Sequence, residues 1–360
     1  MIPFALAFAI PLILSLVLTP LARRMGERLR LVDVPGGRRR HIGAISRLGG
    51  LALYGAFVIG VLILLRLPAA LQPPRQDPNE AVRLAGLLLG SSFIFVVGLL
   101  DDILDLKALP QFAGQLLVAL LSVPYLIIIE RLMNPFTNDL VILPAALVWG
   151  FTVFWIVGMI NTVNFLDGID GLAAGVTAIV CVVLTVHMLR EGQLSVALLP
   201  LALLGAVLGF LPFNFSPARV FMGSTGAFFL GYALAALSIM AGAKMATVLL
   251  VLGIAIVDVA WQILSRLRAH RSIGAGDRGH LHHRLLDLGF SPRQIVLFYY
   301  AFCIFFGVLA LTISNRVYKL LALLVLGVIT VAILIAVTRL EDHRLPAGRA
   351  GPPGEPPSDS

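Results

Sequence analysis

Eleven apolar runs constrain this chain more than any other feature. They fall at approximately 2–20, 48–65, 84–100, 110–129, 140–160, 172–189, 194–212, 227–243, 246–264, 295–313 and 318–338. Each is close to the roughly 20 apolar residues that carry an α-helix across a hydrocarbon core about 30 Å thick. The expected fold is therefore all-α: a polytopic membrane bundle of about eleven transmembrane helices, forming one domain over 1–344. The tail over 345–360, rich in Pro and Gly, has nothing to bury and reads as disordered. With 59% hydrophobic and 13% charged residues, against roughly 25% charged in soluble domains, the chain leaves no room for a large soluble unit or a nucleic-acid-binding module.

The net charge of +8 is distributed unevenly. Of the 27 Lys and Arg, 19 follow odd-numbered runs, among them Arg23, Arg24, Arg47, Arg278 and Arg284. The positive-inside rule then puts the N-terminus outside and the odd-run connections in the cytoplasm. Ile2 to Thr19 lacks a basic n-region, and its first positive charges follow the apolar stretch, so it reads as a retained first helix rather than a signal peptide. Cys181 and Cys303 sit inside apolar runs without disulfide or zinc spacing and read as membrane-core residues.

The polar residues that lipid makes costly all fall at the cytoplasmic ends of these runs. A transporter would be expected to place them near the midplane instead. Asp101 and Asp102 are adjacent carboxylates where the third run leaves lipid, with Asp105 four residues on and expected to share the face of Asp101. An acid at the bilayer centre costs roughly 2.5–3.5 kcal/mol, so a cation, a proton or a basic neighbour is expected there. After the fifth run, Asn161, Asn164, Asp167 and Asp170 recur every third residue, with Gly168 and Gly171 allowing close ligand approach. Such oxygen donors suit Mg²⁺, with Mn²⁺ as substitute; Mg²⁺ is usually held by one or two protein groups plus substrate phosphates. After the seventh run, Asn214, Phe221 and the sequence Gly223-Ser224-Thr225-Gly226 suggest an anion cradle at the next helix start. Between the ninth and tenth, Arg278, His280, His282 and His283 suggest cationic contacts to phosphate rather than a closed zinc site.

Together, DVPGGRRRHIGAISRLGG (33–50), LLDDILDL, NTVNFLDGIDGLAAG, NFSPARVFMGSTGAFFLG and GDRGHLHHRLLDLGFS resemble the polyprenyl-phosphate N-acetylhexosamine-1-phosphate transferases, in the same order and over 33–294. The His-Leu-His-His pattern is similar to that of the undecaprenyl-phosphate N-acetylglucosamine-1-phosphate transferases that start teichoic acids, lipopolysaccharide O-antigens and related glycans. The muramyl-pentapeptide transferases, the alternative branch, carry three consecutive histidines. A noncatalytic lipid-binding or transport protein on the same scaffold is a further alternative.

The resemblance implies a multi-pass enzyme of the cytoplasmic membrane. It would use Mg²⁺ to transfer a sugar 1-phosphate from UDP-N-acetylhexosamine to undecaprenyl phosphate, with release of UMP. It implies catalytic roles for Asp101, Asp102, Asp167 and Asp170, and metal binding by Asn164 and Asp167. Substrate contacts would come from Asn161, Asn214, Phe221, Arg278, His280, His282 and His283. Whether the first acid is a general base or a nucleophile is open, with the base preferred because a phosphate monoester is already nucleophilic; pairing into a homodimer is also open. Two positions depart from the family: Ser224 stands where an aspartate usually follows Phe-Met-Gly, and Gln111 where a lysine usually follows the acidic pair.

Overall fold

A computed structural model describes residues 1–33, 43–242, 245–268 and 279–344. Arg278 and the tail over 345–360 lie outside these described residues. Each apolar run carries a helix: α1 (Ile2–Leu29), α2 (Gly49–Leu65), α3 (Glu80–Leu104), α4 (Ala108–Ser122), α5 (Ala145–Leu166), α6 (Leu172–Arg190), α7 (Leu198–Asn214), α8 (Gly223–Met240), α9 (Met245–Arg268), α11 (Pro292–Thr312) and α12 (Arg316–Arg344). A short α10 (Leu281–Asp287) lies between α9 and α11. Among the described residues eight helices are long and apolar enough to cross a membrane, which makes this a multi-pass membrane protein. The other three, α2, α4 and α7, have 17, 15 and 17 residues and are shorter than that standard.

Local chemistry sets the boundaries. Pro124 lies two residues beyond Ser122, where α4 stops, and Pro144 precedes Ala145, where α5 begins. Between them Arg131–Met133 (β3) pairs antiparallel with Leu140–Ile142 (β4), so the first residues of the fifth apolar run belong to a hairpin rather than to a span. A second pair, Val32–Asp33 (β1) with Ile45–Ser46 (β2), leads into α2. At α11, Ser291 and Gln294 form a reciprocal capping box with Pro292 at the first turn.

The bundle is built around α8, with 89% of its apolar window buried, against 22% for α1 and 28% for α12. Its sequence is apolar on every side, the pattern of a helix enclosed by protein. Helices α3 and α5 pack along it. The α1–α7 pair uses small residues instead: Gly205 and Gly209 bring the α7 backbone against the carbonyls of Phe8 and Leu12, where a Cβ would collide. Small residues four apart allow such approach in lipid, where hydrophobic burial contributes little to helix association.

Gly209→Val should therefore force α1 and α7 apart, at about 2 kcal/mol or more for overpacking a closed contact. The expected result is a lower melting temperature of the detergent-solubilised protein; an unchanged one would show that α1 moves without cost.

Candidate active site

The polar ends of α3, α5 and α7 and the starts of α6 and α8 meet in one open cleft of about 860 Å³. Its described lining includes the carboxylates Asp33, Asp101, Asp102, Asp105, Asp167, Asp170 and Asp287, with Arg47, His283, Asn164, Asn214, Phe221 and Ser224. So many acids in one cleft would repel one another unless each had an electropositive partner. Most have one within the protein.

Asp102 projects from the last turn of α3 onto the start of α8. One oxygen accepts from Ser224 N at 2.9 Å, the other from Thr225 N at 2.9 Å and Thr225 Oγ1 at 2.5 Å. The cradle expected for a ligand anion at this helix N-terminus is thus filled by the protein's own carboxylate. Gly223 makes the approach feasible: its φ is +65°, and a Cβ there would lie 2.5 and 2.7 Å from the two Asp102 oxygens. Asp101 Oδ1 accepts from Gln111 Nε2 at 2.8 Å and from Leu106 N at 3.1 Å. Gln111, one of the two departures from the family pattern, therefore touches the acidic pair directly, as a neutral donor. Asp105 does not share Asp101's helical face as the spacing suggested. The helix ends at Leu104, and Asp105 turns left-handed at φ 46°, 3.6 Å from Arg47.

The residues Asn161, Asn164, Asp167 and Asp170, every third in the sequence, are not carried by one helix, because α5 ends at Leu166. Asn161 donates to Gln115 Oε1 on α4 at 2.6 Å and is not among the cleft-lining residues. Asn164 lines the cleft. Asp170 accepts from Ala218 N at 2.9 Å. Asn214, buried, accepts from Gly171 N at 3.1 Å and donates to Val220 O at 3.0 Å, so its amide bridges two loops at the cleft edge. Asp167 stands apart: its carboxylate accepts no hydrogen bond from a described residue. It lies just past the end of α5, outside the spanning segments. Burial, then the charges of Asp102 and Asp170, push its pKa well above the usual carboxylate range.

The three histidines occupy different depths. His283 lines the cleft. His282 is buried, and burial together with His283 and His280 holds its imidazole well below the ordinary histidine pKa, so it is neutral rather than cationic as the sequence suggested. Its Nε2 has no hydrogen-bond partner among the described residues and faces Gly168, where a Cβ would lie 2.5 Å away. His280 is buried behind it and is absent from the described cleft lining. Sequence reasoning did not single out Arg47, which pairs with Asp33 at 2.6 Å inside the cleft. The sequence groups it with the positive charges that follow odd-numbered runs, and only the packing of β2 beside Val220 and Phe221 distinguishes it.

The profile of glycosyl transferase family 4 matches residues 84–242, which include the acidic pair, the Asn161–Asp170 segment and the start of α8. A probable undecaprenyl-phosphate N-acetylglucosaminyl 1-phosphate transferase of Bacillus subtilis (strain 168) is 32% identical over 96% of this chain and 94% of its own length. The chain belongs to glycosyl transferase family 4. A decaprenyl-phosphate N-acetylglucosaminephosphotransferase of Mycobacterium tuberculosis (strain ATCC 25618 / H37Rv) is 33% identical over 86% of the chain and 82% of its own length. A phospho-N-acetylmuramoyl-pentapeptide-transferase of Desulforudis audaxviator (strain MP104C) is 32% identical, over 85% of the chain and 95% of its own length. This family 4 member is a phosphoglycosyltransferase, and its matched region brings five of the cleft carboxylates together: Asp101, Asp102, Asp105, Asp167 and Asp170. Arg47, Asp33, His283 and Asp287 complete the described polar lining from outside that region.

A carboxyl whose pKa is raised on folding stabilises the fold in its protonated form, a contribution present at low pH and lost as pH rises through the folded value. In this family 4 enzyme, Asp167→Asn should therefore melt higher than the parent at pH 8 without divalent cation, by about 2 °C or more. The difference should vanish near pH 4. A parent that is the more stable at pH 8 would show that Asp167 is not held in an unfavourable ionised state.

Proposed function

We propose that this enzyme transfers N-acetylglucosamine 1-phosphate from a UDP-sugar to undecaprenyl phosphate, or a similar polyprenyl phosphate, and releases UMP. The reaction would begin a cell-wall or surface glycan. The observation that carries this reading is a carboxylate, Asp167, with no hydrogen-bond partner among the described residues, in an acid-lined cleft at the ends of membrane helices, in a chain similar along nearly its whole length to a transferase named for this activity. The pentapeptide transferase reading is less favoured, since His280-Leu281-His282-His283 interrupts the run of three histidines.

An oxygen of the lipid phosphate attacks the β-phosphorus of the sugar nucleotide. A new P–O bond forms, the bond to the bridging oxygen breaks, and UMP leaves with that electron pair. Such chemistry demands positioning and charge neutralisation more than covalent help. Both oxygens of Asp102 are committed to α8, which makes it a positioning group and a poor nucleophile. Asp101, held by Gln111, is the better placed to orient or deprotonate the lipid phosphate. Arg47 offers a guanidinium to the phosphates.

Hard oxygen donors beside an acid whose ionisation is unfavourable fit Mg²⁺, or Mn²⁺ in its place. No group of three or more His, Cys, Asp or Glu side chains suited to a metal occurs among the described residues, so substrate phosphates would complete the coordination. Asn164 and Asp167 would hold the ion, which would neutralise diphosphate charge. Ser224, in place of the family aspartate, adds no carboxylate to this set.

The decisive assay incubates purified enzyme with undecaprenyl phosphate, Mg²⁺ and a panel of UDP-sugars. UMP release dependent on the cation is expected, and release of UDP would sink the reading. In the same assay Asp101→Asn and Asp167→Asn should each lower turnover about a hundredfold or more; near-parental turnover in both would remove them from the catalytic set.

The charge distribution favours a cytoplasmic cleft in the cytoplasmic membrane, with the N-terminus outside. A cysteine at Asn138, in the hairpin turn, should then react with an impermeant maleimide only from outside, in a background lacking Cys181 and Cys303. Labelling solely from inside would invert the topology.

A further inference from the structure

We propose that Asp258, an acid inside α9, is a positioning residue that holds the histidine segment against the cleft and acts through His280 rather than on substrate. The inference rests on the UDP-sugar reading of the cleft. Asp258 is 3% exposed, a placement that costs several kcal/mol for an unpaired carboxylate. Both its oxygens are matched: Oδ2 lies 3.0 Å from His280 Nδ1, and Oδ1 accepts from Leu281 N at 3.0 Å. An ionised carboxylate only accepts, so the proton between them belongs to Nδ1, which fixes the His280 tautomer and ring plane.

From this anchor the rings lead outward. His280 lies between Phe165, at 4.7 Å, and His282, whose ring is parallel within 6° at 5.7 Å. His282 in turn packs on His283 at 4.3 Å, and His283 lines the cleft. The other side of the segment is fastened at Gly279, whose carbonyl accepts from Gln262 on α9 and from Arg284 Nε. A buried membrane acid is thereby linked to the cleft wall beside Gly168 through packed rings. Losing it would free the wall without removing a group from it.

The two nitrogens of His280 make this testable. An Asn side chain places its amide near the imidazole Nδ1 position and can still donate to Asp258, whereas Gln mimics Nε2. Steady-state UMP release is measured for Asp258→Ala, His280→Asn, His280→Gln and the double variant Asp258→Ala/His280→Asn, varying UDP-N-acetylglucosamine and polyprenyl phosphate in turn.

Asp258→Ala should raise KM for the UDP-sugar about tenfold, as for loss of a hydrogen bond to a charged group, and move KM for the lipid by less than about twofold. His280→Asn should be less impaired than His280→Gln, and the double variant no worse than Asp258→Ala. Equal losses for both substrates, additive losses in the double variant, or Gln outperforming Asn would each overturn the proposal. If Asp258→Ala does not fold, the Asn–Gln comparison decides. Calorimetric binding of UDP to the same proteins gives the order without turnover. A parent that binds UDP but releases no UMP would sink the functional reading while leaving this one to the order of Kd values; a parent that binds no UDP would overturn both.

Discussion

The carboxylate of Asp102 on the first turn of α8 is the contact on which the arrangement of the cleft depends. It joins the end of one helix to the start of the most enclosed one, accepts from two otherwise free backbone N–H groups of that helix, and does so where lipid gives way to the cleft. A hydrogen bond to a charged group contributes about 1.5–3 kcal/mol, comparable with the roughly 2.5–3.5 kcal/mol an acid costs at the centre of a membrane. The acid is therefore tolerable because the helix end needs it, and the helix end is satisfied because the acid is there.

The same exchange recurs around the site. Asp170 accepts from the loop before α8, Asn214 from the start of α6, and Asp258 from the start of α10. Each uses a side chain from one element to satisfy the backbone of another, in a region where leaving either unpaired would be costly. Against this background the carboxylate of Asp167 and the Nε2 of His282, neither with a hydrogen-bond partner among the described residues, are distinctive. Both adjoin Gly168, Asp167 as its chain neighbour and His282 Nε2 where a Cβ would stand, so no side chain there separates them from a ligand.

Much of this was legible in the sequence, because lipid imposes a simple code. The eleven apolar runs each contain a helix, and the clustering of Asp101, Asp102, Asn164, Asp167 and Asp170 follows from their positions at the same ends of alternate helices. What failed had physical reasons. The β3–β4 hairpin was hidden because Leu140, Val141 and Ile142 of β4 are as apolar as the span that follows, and only Pro144 marks the break between them. Asn161 looked like part of a ligand series, but its partner, Gln115, is 46 residues away. The glycine-rich start of α8 looked vacant because the carboxylate that fills it comes from 122 residues earlier. Spacing within a segment cannot reveal such partners. Arg47 was obscured for the opposite reason, being one arginine among many on a basic face.

The enclosure of α8 has a further consequence for how the protein meets bilayers of different thickness. A mismatch between hydrophobic length and lipid thickness is relieved by tilting or by deforming lipid around exposed helices. Here the long, lipid-facing α1 and α12 bear that adjustment, while α8 has almost no surface on which lipid can act. A helix so enclosed gives the cleft acid that rests on its first turn a footing in protein rather than in the lipid in which the enzyme works.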